Sequence, residues 1–123
     1  MEINYFELIG EDNLRKLIKD FYLGIADDDL IRPMYVGDLE PAEERLFLFM
    51  QQFLGGPTTY NERRGAPKLK RRHVPFKVDM AARNRWVELM DKALDKNDMD
   101  KMAKIFLKKY FEDTATFLIN RGE

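Results

Sequence analysis

Apolar positions recur at spacings of three and four through most of this 123-residue chain, a period that lines them up on single helix faces. Leu14, Leu17, Ile18, Phe21, Tyr22 and Ile25 mark a first main helix beginning after Gly10. Acids at its start, with Lys16 and Lys19 further along, suit its dipole. A second run begins at Pro41, a residue suited to a first helical turn. It carries Ala42, Leu46, Phe49, Met50 and Phe53 and stops at Gly55-Gly56-Pro57. A third starts near Asp79, an N-cap residue, and places Trp86, Val87, Met90, Ala93 and Leu94 together. The fourth follows a break at Asn97-Asp98, with Met99, Met102, Ala103, Phe106, Tyr110, Thr114, Phe117 and Leu118. Shorter helices are expected at the N-terminus and around Asp28 to Met34. Alternation of strand length is absent, and so are repeats and interdomain linkers. The pattern predicts an all-α protein with residues 1–123 as one domain.

The stretch from Gly55 to Val78 breaks this pattern. Gly55, Gly56, Gly65, Pro57, Pro67 and Pro75 rule out a long regular helix, and links between packed helices usually take about 2 to 8 residues. Tyr60, Leu69, Val74 and Phe76 are groups that a solvated linker does not need. Between Arg63 and Lys77 the same stretch holds Arg63, Arg64, Lys68, Lys70, Arg71, Arg72 and Lys77, seven of the 21 basic residues, with no acid in that interval. An ordered, irregular, basic connection is where a site is expected, and its partner should carry negative charge.

Global composition narrows the chemistry without naming it. A formal net charge of −1 and a charged share of 35% give no general case for nucleic acid or a membrane. Zero cysteines exclude disulfides, thiolate metal sites and thioether attachment of a cofactor. That fits a reducing compartment. The opening MEINYFELIGEDN shows no basic leader followed by an apolar core, so a soluble cytoplasmic protein is expected.

The chain's one histidine, His73, stands in RRHVPF within the basic stretch. A lone imidazole makes a poor zinc or copper site, because such ions take three or four protein ligands. A haem iron, already held by four porphyrin nitrogens, needs a single axial ligand. Haem propionates would also occupy the guanidinium groups beside His73. The competing reading is a surface histidine in a basic loop. Tyr22 and Trp86 fall on inward helix faces and Tyr35 follows a proline-containing turn, so three large rings bring polar tips that need partners. Core packing with bonds to carbonyls would satisfy each of them. Together, with no acid on those faces, they would also suit a small polar diatomic ligand.

The run FLGGPTTYNERRGAPKLKRRHVPF, Phe53 to Phe76, closely resembles the segment that marks group II truncated haemoglobins. FY at Phe21-Tyr22, LIRPMY at Leu30 to Tyr35, GDL at Gly37 to Leu39 and RNRWVELM at Arg83 to Met90 extend the resemblance over nearly the whole chain. It implies a two-on-two helical sandwich around a non-covalently held haem b, a single truncated globin domain. By the same resemblance His73 matches the proximal iron ligand, and Arg72 a propionate partner, with Tyr60 and Lys68 as weaker candidates. Leu69 and Phe76 would line the proximal side. Tyr22, Tyr35 and Trp86 match the polar residues that approach an iron-bound ligand, while Ala42 falls where longer globins carry a distal histidine and Leu46 one turn on. Two positions depart from the family: Ala66 replaces a frequent histidine and Leu54 a frequent larger aromatic.

These assignments imply reversible binding of dioxygen or another diatomic ligand, with slow oxygen release. They leave room for oxidation of nitric oxide or weak peroxidase chemistry fed by an external reductase, in a monomer or homodimer. The rival class is a cofactor-free helical interaction module whose basic loop docks on an acidic partner.

Overall fold

The computed structural model describes residues 3–65, 68 and 78–120, and within them every regular element is helical. Helix α1 (Tyr5–Ile9) is capped by Asn4, whose side chain accepts the Glu7 N–H at 3.0 Å. Helix α2 (Glu11–Ala26) runs from Gly10 as the apolar period requires and buries Leu14, Leu17, Ile18, Phe21, Tyr22 and Ile25. After the 3-10 turn Arg32–Met34, α3 (Glu40–Phe53) has Pro41 in its first turn. Helix α4 (Thr59–Arg64) is a short insert in the connection that the sequence marks as irregular. Helix α5 (Met80–Asp95) is capped by Asp79, which accepts from Ala82 N–H at 2.9 Å. The last helix, α6, covers Lys101–Phe117.

Two starts differ from the periodic reading, and both for the same physical reason. Around Asp28 no α-helix forms, because the Asp28 carboxylate accepts the N–H groups of Leu30 and Ile31 at 3.0 and 2.8 Å. That side chain closes a tight turn in place of a helical one. At the other break, Asn97 Oδ1 takes the Met99 N–H at 2.9 Å and Asp100 caps Ala103. Met99 is therefore buried in the connection, and α6 begins only at Lys101.

Helix α2 packs on α3 and on α5, and α5 packs on α6, giving two helix pairs crossed over one core. Phe21, Leu14, Leu17, Ile25, Met50, Met90 and Leu107 are fully enclosed there. Buried Asn97 also donates to the Asn13 carbonyl at 2.9 Å and so ties the α5–α6 connection to α2. Val78 and Asn120 exchange two hydrogen bonds, 3.0 and 2.8 Å, across the entry to α5 and the exit of α6. The glycine pair that ends α3 is demanded by close approach. Gly55 adopts φ +105°, and a Cβ on Gly56 would sit 2.9 Å from both the Gln51 carbonyl and the Phe6 ring. Leu54 is buried beside them and its carbonyl accepts Phe6 N–H at 2.9 Å, so the smaller side chain is accommodated in a closed junction.

Candidate functional site

Three of the side chains singled out by the sequence come together through a chain of perpendicular rings. Trp86 on α5 meets Phe21 on α2 with centroids 4.9 Å apart and planes at 67°. Phe21 meets Tyr22 at 5.2 Å and 78°, and Tyr22 meets Tyr35 at 5.9 Å and 76°. Edge-to-face contacts of this kind set ring orientation as well as burying area. Trp86 is braced on its other side by Phe111 of α6 at 5.6 Å.

The phenols are chemically coupled as well as packed. Burial pushes the Tyr22 hydroxyl far above the usual phenol range, and the charge and hydroxyl of Tyr35 push it further in the same direction. Tyr35 is raised by burial too, while its hydrogen bond with Tyr22 works in the opposite sense. The two hydroxyls share a hydrogen bond, in which either phenol can serve as the donor. Both groups are therefore neutral hydroxyls at any ordinary pH.

Ala42 and Leu46 stand one turn apart on α3, Ala42 buried and Leu46 partly covered. Phe49 follows on the same helix, edge-on to buried Tyr60 at 5.6 Å and 72°. Tyr60 belongs to the hydrophobic core, with the Arg64 guanidinium 5.9 Å over its ring. Lys68 is exposed with φ +47°. One residue was missed by periodicity. Arg45, between Ala42 and Leu46, places a positive charge that acts on both Tyr22 and Tyr35. Its signal was its place three residues after Ala42. His73, Arg72, Leu69, Phe76 and Ala66 lie outside the described residues.

Comparison with known proteins decides the family. The model of the bacterial-like globin family matches residues 4–120. The group 2 truncated haemoglobin YjbI of Bacillus subtilis is 33% identical over 96% of this chain and 89% of its own. The two-on-two haemoglobin-3 of Arabidopsis thaliana is 36% identical over 99% of this chain and 72% of its own. The chain belongs to the bacterial-like globin family. Its fold is the two-on-two fold of the group II truncated haemoglobins. The crystal structure of the haemoglobin from Chloroflexus aurantiacus superposes with TM-score 0.94 at 37% identity, covering 98% of this globin and all of that chain. The truncated oxygen-avid haemoglobin of Bacillus subtilis superposes with TM-score 0.91 at 32% identity, covering 96% and 100%.

A globin implies a haem and a diatomic ligand such as dioxygen, and the side chains of this chain fit both. Among the described residues no group of His, Cys, Asp or Glu could hold a metal ion without a prosthetic group. Met34, Tyr35, Leu39, Leu46, Phe49 and Trp86 pack on the core yet remain only partly buried. Half-open apolar side chains of this kind are the chemistry a flat macrocycle would need. The polar tips in the ring chain are two phenols and one indole, neutral groups that can each donate a hydrogen bond. Among the described residues no helix is long and apolar enough to cross a membrane.

Proposed function

We propose that this globin, as a single domain over residues 1–123, binds haem b through His73 and holds dioxygen with slow release. The observation that carries the reading is the Tyr22–Tyr35 pair, Tyr22 buried and Tyr35 half-buried, joined through Phe21 to Trp86 by edge-to-face contacts. Haem would supply the iron chemistry that takes up a diatomic ligand and makes it a hydrogen-bond acceptor. The protein's part is to meet that acceptor with donors. In this assignment Tyr22 donates to Tyr35, which leaves the Tyr35 O–H for the ligand, and the Trp86 N–H is the second donor. Tyr22 fixes the angle of Tyr35. Ala42 and Leu46 have no polar group to offer there. A hydrogen bond to a charged acceptor contributes about 1.5 to 3 kcal/mol, which is roughly ten- to a hundredfold in escape rate. That the related Bacillus subtilis protein is described as oxygen-avid agrees with this reading.

Arg72, with Tyr60 and Lys68 in lesser roles, is the propionate partner in this assignment, and Leu69 and Phe76 line the proximal side. Arg45 adds a cation at the distal edge, suited to the second propionate or to an incoming anion. The same residues would leave room for oxidation of nitric oxide to nitrate by dioxygen, with the balancing electron supplied by an external reductase in the cytoplasm; without an acid-base histidine, peroxidase turnover stays weak. The test is direct. Purified protein should be red and, in the ferrous state, should release oxygen slowly in stopped flow. Colourless protein that takes up no added haem, or fast release unchanged by Trp86→Phe and Tyr35→Phe, would overturn it.

A further inference from the structure

The two donors come from elements far apart in sequence, and a set of ionic contacts outside the ligand pocket joins those elements. Arg85 is the residue before Trp86 on α5. Its Nη1 donates to Asp28 Oδ1 at 2.6 Å and lies 3.4 Å from Asp29 Oδ1. The other Asp28 oxygen is fully used by the turn, accepting Leu30 N–H and Ile31 N–H. Only 8% of the Asp28 side chain is exposed, so this carboxylate is a built-in part of the corner between α2 and the 3-10 turn. From that corner the backbone passes to Arg32, whose N–H bonds the Asp28 carbonyl at 3.1 Å. Arg32 then grips the segment bearing Tyr35. Its Nη1 donates to the Tyr35 carbonyl at 3.1 Å and its Nη2 to the Gly37 carbonyl at 2.8 Å, while its own carbonyl accepts Tyr35 N–H at 3.1 Å. Both backbone polar groups of Tyr35 are therefore held by one arginine.

We propose that Arg85, Asp28 and Arg32 are positioning residues that set the span between the Trp86 and Tyr35 donors, and through it the rate at which a bound diatomic ligand escapes. The inference rests on the donor roles given to Trp86 and Tyr35 above. Neither arginine touches the ligand in this scheme. Packing alone does not account for the arrangement. The edge-to-face contacts among Trp86, Phe21, Tyr22 and Tyr35 orient each ring, whereas a carboxylate bonded at both oxygens fixes the distance between the backbone segments that carry the two donors. Hydrogen bonds to a ligand weaken steeply when donors shift or tilt, so small changes in the span should be read out as changes in escape rate.

The experiment uses the haem-loaded full chain with carbon monoxide and with dioxygen. Arg85→Gln, Asp28→Asn and Arg32→Gln should each broaden or split the infrared stretch of bound carbon monoxide and speed oxygen release roughly threefold to tenfold. Arg85→Lys, which keeps the charge but loses the planar fork, should recover part of the change. Trp86 is the chain's one tryptophan, so its fluorescence in haem-free protein reports independently on its surroundings and should shift in Arg85→Gln. Asp100→Ala, which removes the α6 cap far from this corner in sequence, is the control for general destabilisation. It should leave the carbon monoxide stretch unchanged. If Asp28→Asn does not fold, Arg85→Gln and Arg32→Gln carry the test. An unchanged stretch and off-rate in Arg85→Gln and Arg32→Gln, with clear changes in Trp86→Phe and Tyr35→Phe, overturns the positioning role and leaves the donor reading intact. An equal change in Asp100→Ala overturns it as well. No change in Trp86→Phe and Tyr35→Phe overturns both.

Discussion

Two sets of aromatic rings in this globin use the same side chains in opposite ways. Trp86, Phe21, Tyr22 and Tyr35 meet edge to face at 67–78°, with Phe21 fully enclosed. Tyr5, Phe106, Phe53 and Tyr110, from α1, α3 and α6, lie nearly parallel: Tyr5 on Phe106 at 4.1 Å and 10°, Phe53 on Tyr110 at 4.2 Å and 26°. Phe53 remains 43% exposed. Parallel stacking tolerates sliding, while a perpendicular contact points the edge of one ring at the face of the next and holds its direction. Only the first set buries two polar tips that must bond each other. Direction is what a ligand site needs, and a surface stack can do without it.

The largest expected effect separates the two sets by stability. Phe21→Ala removes the ring that links Trp86 to Tyr22 in a closed core and should cost about 3 to 5 kcal/mol. Chemical denaturation reads this directly, and haem affinity should fall with it. A loss below about 1 kcal/mol would mean that the perpendicular set closes up without Phe21, and its rigidity would then come from elsewhere.

Next come the ligand-facing substitutions, which should affect escape far more than folding. Trp86→Phe and Tyr35→Phe should each speed oxygen release by roughly ten- to a hundredfold, whereas Tyr110→Phe in the stacked set should not alter it. Tyr22→Phe should speed release less than Tyr35→Phe, because Tyr22 acts by orienting its neighbour. Equal effects from Tyr22→Phe and Tyr35→Phe would show that both hydroxyls reach the ligand.

Alkaline pH sharpens the contrast through the phenols themselves. Burial raises Tyr22 and Tyr35 above the ordinary phenol value of about 10. Their contribution to stability is therefore complete below about pH 10 and is lost as pH rises from there toward the folded-state values, since the unfolded chain releases those protons first. Stability of the unmodified globin should drop as pH rises above about 10, and Tyr22→Phe should drop less. Tyr110, raised by burial but less enclosed and hydrogen-bonded to Thr114, should contribute a smaller part of the loss.

How much of this was legible beforehand depends on the range of the interaction. The helix faces and the Asp79 cap follow from spacing, and so do the inward positions of Tyr22 and Trp86. The turn at Asp28 and the late start of α6 did not, because a carboxylate or amide bonding backbone two or three residues on competes with helix formation without disturbing the apolar period. Arg45 was missed since a charged residue on an exposed helix position looks like a solvated face. The Arg85–Asp28 contact joins residues 57 apart, and nothing in local spacing announces such a pair. The reading of His73 and Arg72 rests on the resemblance of the segment from Phe53 to Phe76, and both residues lie outside the described ones.

The smallest expected effect is the one that tests whether the two ring sets are separate at all. Phe53 stacks on Tyr110, Tyr110 meets Phe111 at 5.5 Å, and Phe111 braces Trp86 at 5.6 Å. An unbroken series of rings thus runs from the exposed stack to the ligand donors. Phe53→Ala removes a ring already partly in water, along with one close stack, so it should cost only about 1 kcal/mol. Oxygen release should stay within twofold of the parent rate, because Tyr110 and Phe111 are one residue apart on α6 and the helix backbone, not the stack, holds Phe111 against Trp86. Should Phe53→Ala instead speed release as much as Trp86→Phe, the stacked face would be a mechanical support of the donor and no longer a separate region.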